Sequence, residues 1–234
     1  MPEGPGTEVA TAAGDEPVAP AAGGGRPLGA EAPLLPPGYP RGAERDVRIR
    51  DGRVVHVRPI RPDDAAMLVA FHASLSPQSI YLRYFNFHPV LTAKEVERFT
   101  HVDYVDRLAL VVLATARLVA VGRYDRVAGT DEAEVAFVVK DDYQRQGIGT
   151  LLADELARAA RATGIRVFVA DTLAENAAML EMFHHMGFPV ESGFEEGVVK
   201  VRFPIEPVPA YLEALARREA GRHLASAQGS GGAC

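Results

Sequence analysis

Residues 135–160 read VAFVVKDDYQRQGIGTLLADELARAA. A run of apolar, strand-favouring residues comes first, then a polar stretch that holds Gly147 and Gly149, then an amphipathic helical pattern. The order predicts a strand that stops, a glycine hinge, and a helix over about 148–163. A helix N-terminus presents N–H groups with no intrahelical acceptor and the positive end of the helix dipole, and glycines just before it let an anion come close to the backbone. Phosphate is the natural guest. The spacing is neither GxxxxGK[ST], which needs a lysine, nor GxGxxG, because Leu152 stands where a third glycine belongs, so a nucleotide triphosphatase is disfavoured. On spacing alone, a tight turn with close packing explains Gly-x-Gly as well as an anion does.

Working outward, the hinge sits late in a strand-rich region. Upstream, DVRIRDGRVVHVRPIRPDD places Val47 and Ile49 in alternation and marks a hairpin at Asp51-Gly52. Pro62, Asp63 and Asp64 start a helix whose apolar positions Met67, Leu68, Phe71 and Leu75 follow a 3.6 period until Ser76-Pro77 breaks it. A second helix is expected over about 78–85 and a third from Thr92, with Glu95 completing a capping box. LALVVLAT, RLVAVGRYDR and EAEVAFVVK then read as an antiparallel meander. After the hinge helix come a strand in IRVFVAD, a helix in AENAAMLEMFHHMGF stopped by Gly187, and a closing strand in EEGVVKVRFPI. The fold class is α+β: a mixed, mostly antiparallel sheet flanked by helices, with a parallel crossover only at the hinge.

Residues 1–45 mix Pro, Gly, Ala and scattered acids without period, which predicts a disordered arm. One domain is expected over 46–208, followed by a short helix near 210–224 and a flexible tail within 209–234. With Lys+Arg 25 against Asp+Glu 31 and a net charge of -6, no basic field argues for nucleic acid or an anionic membrane. Cys234 is the only cysteine, so neither a disulfide framework nor a thiolate site is expected; with no apolar run approaching ~18–20 residues, the composition fits a cytoplasmic protein.

Context raises the odds on the anion. Gln144-x-x-Gly147-x-Gly149 between a strand and a helix, followed at the proper separation by Asn176, Met179, Phe183, Gly187 and Phe188, resembles the GNAT superfamily of N-acetyltransferases over about residues 54–204. VHVRPIRPDDA, LSPQSIYLRYF, ERFTHVDYVDRLALV and AEVAFVV are similar to bacterial protein lysine acetyltransferases. The resemblance implies the GNAT fold and acetyl-CoA as acyl donor. It implies a diphosphate held at Gln144, Arg145, Gln146, Gly147, Ile148, Gly149 and Thr150, and Asn176 beside the coenzyme. The pantetheine arm is then expected to pair with backbone of Phe137, Val138 and Val139 as an added strand.

A lysine amine has a pKa near ~10.4, so a carboxylate that takes its proton assists transfer. Glu134 is the candidate base, because it starts the strand that would hold the thioester; Glu132 and Asp131 are nearby alternates, and capping of a strand end is the bland reading of Glu134. An N–H near Val138 is a candidate oxyanion donor. The resemblance places a tyrosine where Phe183 stands, leaving Tyr143, Tyr104 or water to protonate the thiolate. No metal is expected: His184 and His185 are adjacent and diverge by about 100° on a helix. His101, Asp103, Tyr104 and Asp106 either face the acceptor or merely shape a loop, and capping of its helix is the bland reading of Asn176.

The expected partner is a protein carrying the target lysine, with acyl-CoA synthetases and other metabolic enzymes as the acceptors the resemblance implies; the oligomeric state is left open. A small-molecule or N-terminal amine is the alternative acceptor, and an acyl-CoA-binding module without turnover is the alternative of another class. Fewer than about 45 residues precede the domain, too few for the regulatory domain some relatives carry, so any such control is expected from elsewhere.

Overall fold

The computed structural model describes residues 35–228. Eight strands form one sheet in the order β1-β2-β3-β4-β5-β6-β8-β7. The Asp51-Gly52 turn, with Gly52 at φ 89°, joins β1 (Arg45–Arg48) to β2 (Val54–Pro59). β3 (Arg107–Ala114), β4 (Arg117–Arg126) and β5 (Glu132–Val139) are the expected meander. β6 (Val167–Leu173) runs parallel to β5, the only parallel pairing among the described residues, and α4 (Ile148–Ala162) makes the crossover.

Helices cover both faces because each central strand buries both sets of side chains. α1 (Ala65–Ala73), α2 (Pro77–Tyr84) and α3 (Ala93–Thr100) close one face over Ile60, Leu68, Phe71, Val111 and Val121. α2 starts at Ser76, whose side chain accepts from the Ser79 N–H, and α3 starts in the capping box of Thr92 and Glu95. α4, α5 (Ala177–His185) and α6 (Pro209–Gln228) pack on the other face around Phe137, Leu152, Phe168, Phe183 and Phe203. Fully burying each such side chain contributes about 1.5–3 kcal/mol.

Three expectations change. Of the arm expected over 1–45, residues 1–34 lie outside the described residues, but Tyr39 is buried edge-on to Tyr104, 5.5 Å between ring centroids, and its hydroxyl donates to Glu44. Tyr39, with Leu35 packed on the same core and Glu44 paired to Arg61, holds this Pro- and Gly-rich stretch onto the sheet. The closing strand is a hairpin: β7 (Glu191–Glu195) turns through Glu196 and Gly197, both at positive φ, into β8 (Val198–Pro204), and β8 rather than β7 pairs with β6. β7 is exposed along its length, so it carries no alternation to read. The terminal helix is longer than 210–224 and packs firmly: Tyr211 is buried and stacks on Phe188 at 4.1 Å, and Arg218 grips the buried Asp154 with two bonds of 3.1 and 2.8 Å. Gly187 has φ 88°, and a Cβ there would lie 2.6 Å from the Ala210 carbonyl oxygen, so glycine is required twice over. The tail expected beyond residue 228 lies outside the described residues.

Candidate active site

The sheet opens where β5 and β6 meet. Their register holds for Glu132↔Val167, Ala133↔Phe168 and Glu134↔Val169, and then ends. β5 continues to Val139 along β4, so its other edge faces a gap. Backbone groups alternate sides along a strand in an antiparallel pair. The Lys140 N–H bonds Val119 and the Val127 N–H bonds the Glu132 carbonyl, so the even-numbered residues of β5 bond β4 and the odd-numbered ones face the gap. Phe137 therefore presents its backbone groups to the opening, and Val139 its N–H, since the Val139 carbonyl accepts from Gln144 at 3.1 Å. Val138 does not: its amide belongs to the β4 ladder opposite Val121. Its expected contact with the arm, and its part as an oxyanion donor, are corrected by this alternation.

A cleft of about 240 Å³ fills the gap. Glu134, Val135, Ala136 and Phe137 form one wall and Ala170, Asp171 and Thr172 the other; Met179 and Phe183 come from α5, and residues 82–85 at the end of α2 flank the mouth. Glu134 is exposed at the point where the strands part, and no hydrogen bond or ion pair joins its side chain to a described residue. Glu132, the alternate, is paired with Arg202 at 2.8 Å. The Thr172 side chain is 2% exposed, yet its hydroxyl has no hydrogen-bond partner.

At the far end of the gap the chain makes a tight turn, Asp141–Tyr143, and then the hinge. Arg145 has φ 59° and Gly147 has φ 81°, so two left-handed residues turn the backbone just ahead of α4. No side chain caps α4, which leaves its first N–H groups pointing at open space; the Leu151 N–H is the first to find an acceptor, on Gly147. Gly149 serves another purpose: a Cβ there would stand 2.9 Å from Sδ of Met182, so glycine lets α4 approach α5. Over the hinge hangs the β1–β2 turn. Arg50 donates to the Arg145 carbonyl and lies 3.7 Å from where a Gly147 Cβ would be, while Arg53 donates to the Asp142 carbonyl and stacks on Tyr143 at 3.9 Å. These arginines are 95 and 89 residues distant from the groups they bond, which no local pattern reveals.

A family model described as "Acetyltransferase (GNAT) family" matches residues 77–188, from the start of α2 to Phe188. The solved GNAT domain of S. lividans PAT is 42% identical, with 71% of this chain and 99% of that chain covered and a TM-score of 0.68. This chain belongs to the GNAT acetyltransferase family. The acetyltransferase Pat of Mycolicibacterium smegmatis is 31% identical over 170 residues, 69% of this chain and 49% of that protein, so the chain spans about half the length of this relative. The fold extends to yncA of Salmonella typhimurium, solved with acetyl-CoA, at 19% identity and a TM-score of 0.54, with 67% and 96% of the two chains covered.

Within this GNAT domain the expected residues separate by role. Gln146, Gly147, Ile148, Gly149 and Thr150 line the uncapped helix start together with the backbone of Arg145. The Gln144 side chain, expected to reach an anion, instead donates to Ser79 Oγ and the Val139 carbonyl, 3.1 Å each, and so clamps α2 to the hinge. Asp141 strengthens that clamp by accepting from the Ser76 N–H and the Ser76 and Ser79 hydroxyls. Burial alone would raise its carboxyl, but these bonds outweigh it and hold the group below the ordinary carboxylate value. Asn176 caps α5 by accepting from the Met179 N–H.

Phe183 is buried between Phe137 and Phe203 and forms cleft floor rather than an acid. Of the two tyrosines named as substitutes, the Tyr104 hydroxyl donates to the Ile60 carbonyl in the core, and the Tyr143 ring lies under the Arg53 guanidinium. In HVDYVDR, Asp103 accepts from the N–H groups of Val105, Asp106 and Arg107, and Asp106 pairs with Arg126, so the segment shapes a turn. Tyr84, not singled out by any motif, lines the cleft from α2, and burial raises its hydroxyl above the ordinary value.

Proposed function

We propose that this protein transfers the acetyl group of acetyl-CoA to a lysine amine of a protein. One observation carries the reading: the uncapped start of α4 and the unpaired edge of β5 are continuous, and Glu134 stands where that edge begins. The N–H groups from Arg145 to Thr150 would grip the diphosphate, with Arg50 adding charge above it. Backbone of Phe137 and Val139 would pair with the amides of the pantetheine arm, which becomes the strand missing from the gap. The buried, unpartnered Thr172 hydroxyl supports this fit, because a polar atom left so in the apo chain finds its partner in what fills the cleft.

Glu134 would take a proton from the acceptor ammonium, directly or through water. The neutral amine then bonds to the acetyl carbon, the carbon–sulfur bond breaks, the thiolate leaves with the electron pair, and the new amide nitrogen gives up its second proton to water. A coenzyme thiol ionises near ~8.5, close enough to neutral pH that water protonates it after departure. The Thr172 hydroxyl would donate a hydrogen bond to the sulfur, where the family pattern has a tyrosine and this chain has Phe183. Protein lysine as the acceptor is supported by likeness to Pat proteins. Incubation with acetyl-CoA and lysine-bearing proteins, with free thiol and modified residues followed by mass spectrometry, tests it. Thiol release coupled to lysine acetylation is expected; coenzyme binding without release would make the chain a binding module.

A further inference from the structure

Beside the cleft lies a second, smaller cavity of about 30 Å³, and Arg83, Tyr84 and Ala136 belong to the walls of both. Arg123 from β4 lines it, opposite Ala136 and on the same face of the sheet as Glu134. Arg123 is 8% exposed, and neither a hydrogen bond nor an ion pair joins its side chain to any described residue. The nearest acid on its own strand, Asp125, is engaged by Arg107 and Arg98. The ring of Phe99 lies 4.0 Å from the guanidinium and offsets part of its desolvation, but a ring face accepts none of its N–H bonds in the plane of the fork. Burial, with the charge of Arg83 adding to it, depresses the guanidinium to about 10. Two cations facing one small cavity with no acid between them are stable together when an anion enters.

The size selects the anion. A water takes roughly 10–15 Å³ of such space, so the cavity holds about two waters, or the two oxygens of a carboxylate, which the guanidinium fork matches in geometry. The position selects its carrier. Ala136 is two residues from Glu134, roughly 7 Å along the strand, within reach of one acceptor molecule.

We propose that Arg123 and Arg83 form a subsite for a carboxylate carried by the acceptor, so that the amine offered to Glu134 belongs to a molecule with an anionic group close by. This deepens the acetyl-transfer reading and rests on it. Two sources supply that chemistry: an acidic side chain next to the lysine of a protein, or the α-carboxylate of a free amino acid.

The test uses the full chain with saturating acetyl-CoA and two acceptor pairs, a lysine peptide with a flanking Glu against the same peptide with Gln, and free lysine against lysinamide. The carboxylate-bearing member of one pair should be preferred in kcat/KM by about 10-fold or more, and the pair that shows it names the source. R123M should bring that ratio to within about twofold of unity, while R123K retains part of it and R83Q reduces it part-way. Equal kcat/KM within both pairs for the unaltered chain would overturn the proposal. So would an R123M variant that slows both members by one factor, which marks Arg123 as a packing residue. A binding measurement separates failure here from failure of acetyl transfer: with CoA present, 6-aminohexanoate should raise the melting temperature more than hexylamine does, and R123M should abolish the difference. Equal shifts refute the subsite whether or not any acceptor turns over.

Discussion

Alanine at Gly147 separates what the hinge does for the fold from what it does for the anion. Gly147 sits at φ 81°, ψ 8°, and the only group near its missing Cβ is the flexible Arg50 side chain at 3.7 Å, so the cost is conformational rather than steric. A left-handed non-glycine residue costs about 1–2 kcal/mol. Without ligand the loop relieves that strain by turning away, and its N–H groups lose their common direction; binding must restore it, so coenzyme A affinity should fall about 5- to 30-fold. Gly149→Ala gives the contrast. Its Cβ would meet Sδ of Met182 at 2.9 Å, an overpacking of about 1–3 kcal/mol, against which alanine returns about 1 kcal/mol of helix propensity. That variant should lose stability while keeping most of its affinity, and Met182→Ala should relieve it. Urea unfolding and calorimetric titration with coenzyme A read the two effects separately. If Gly147→Ala loses stability yet binds coenzyme A as before, the hinge amides do not hold the diphosphate.

Four further outcomes are expected. Glu134→Gln should keep coenzyme affinity and lower single-turnover acetyl transfer by about 100-fold or more, and unchanged turnover would remove this carboxylate from the chemistry. Thr172→Val should leave the apo protein as stable or slightly more so, since it deletes an unpartnered buried hydroxyl, while slowing transfer; a variant as fast as the parent would show that the hydroxyl does not touch the sulfur. Asp141 has a folded pKa held below its unfolded value, so its stabilisation is complete above about pH 4 and is lost as pH falls through the folded value; urea midpoints between about pH 5 and 3 should drop for the parent and flatten for Asp141→Asn. Arg218→Met should destabilise by about 1.5–3 kcal/mol, because it removes two charge-assisted hydrogen bonds from the buried Asp154 carboxylate, and an unchanged midpoint in chemical denaturation would refute this.

Features written in short-range pattern were legible. The glycine hinge, the meander and the capping box of α3 each depend on residues within one or two turns of the chain, and each formed where the spacing put it. The place of Glu134 near the start of β5 was legible because its distance from the hinge is fixed by strand length. What escaped depends on partners far away in sequence. Arg123 reads as one more strand residue until β4 is laid against α3; Thr172 reads as strand filler until the gap beside it is known; Arg50 is a turn residue until its hairpin folds over the hinge. Val138 was misassigned for a different reason. Sequence tells which side chains alternate along a strand but not which neighbour takes the odd amides, and only the β4 register decided it.

That alternation provides the most direct measurement. Amide hydrogen exchange, read residue by residue with and without acetyl-CoA, should show Val138 already protected in the free protein by its bond to β4. Phe137, Val139 and the amides from Arg145 to Thr150 should exchange fast without ligand and slow together when acetyl-CoA is added. Acetyl-CoA that binds while leaving Phe137, Val139 and the hinge amides exchanging at their free rates would contradict a coenzyme threaded along β5 and anchored at the start of α4.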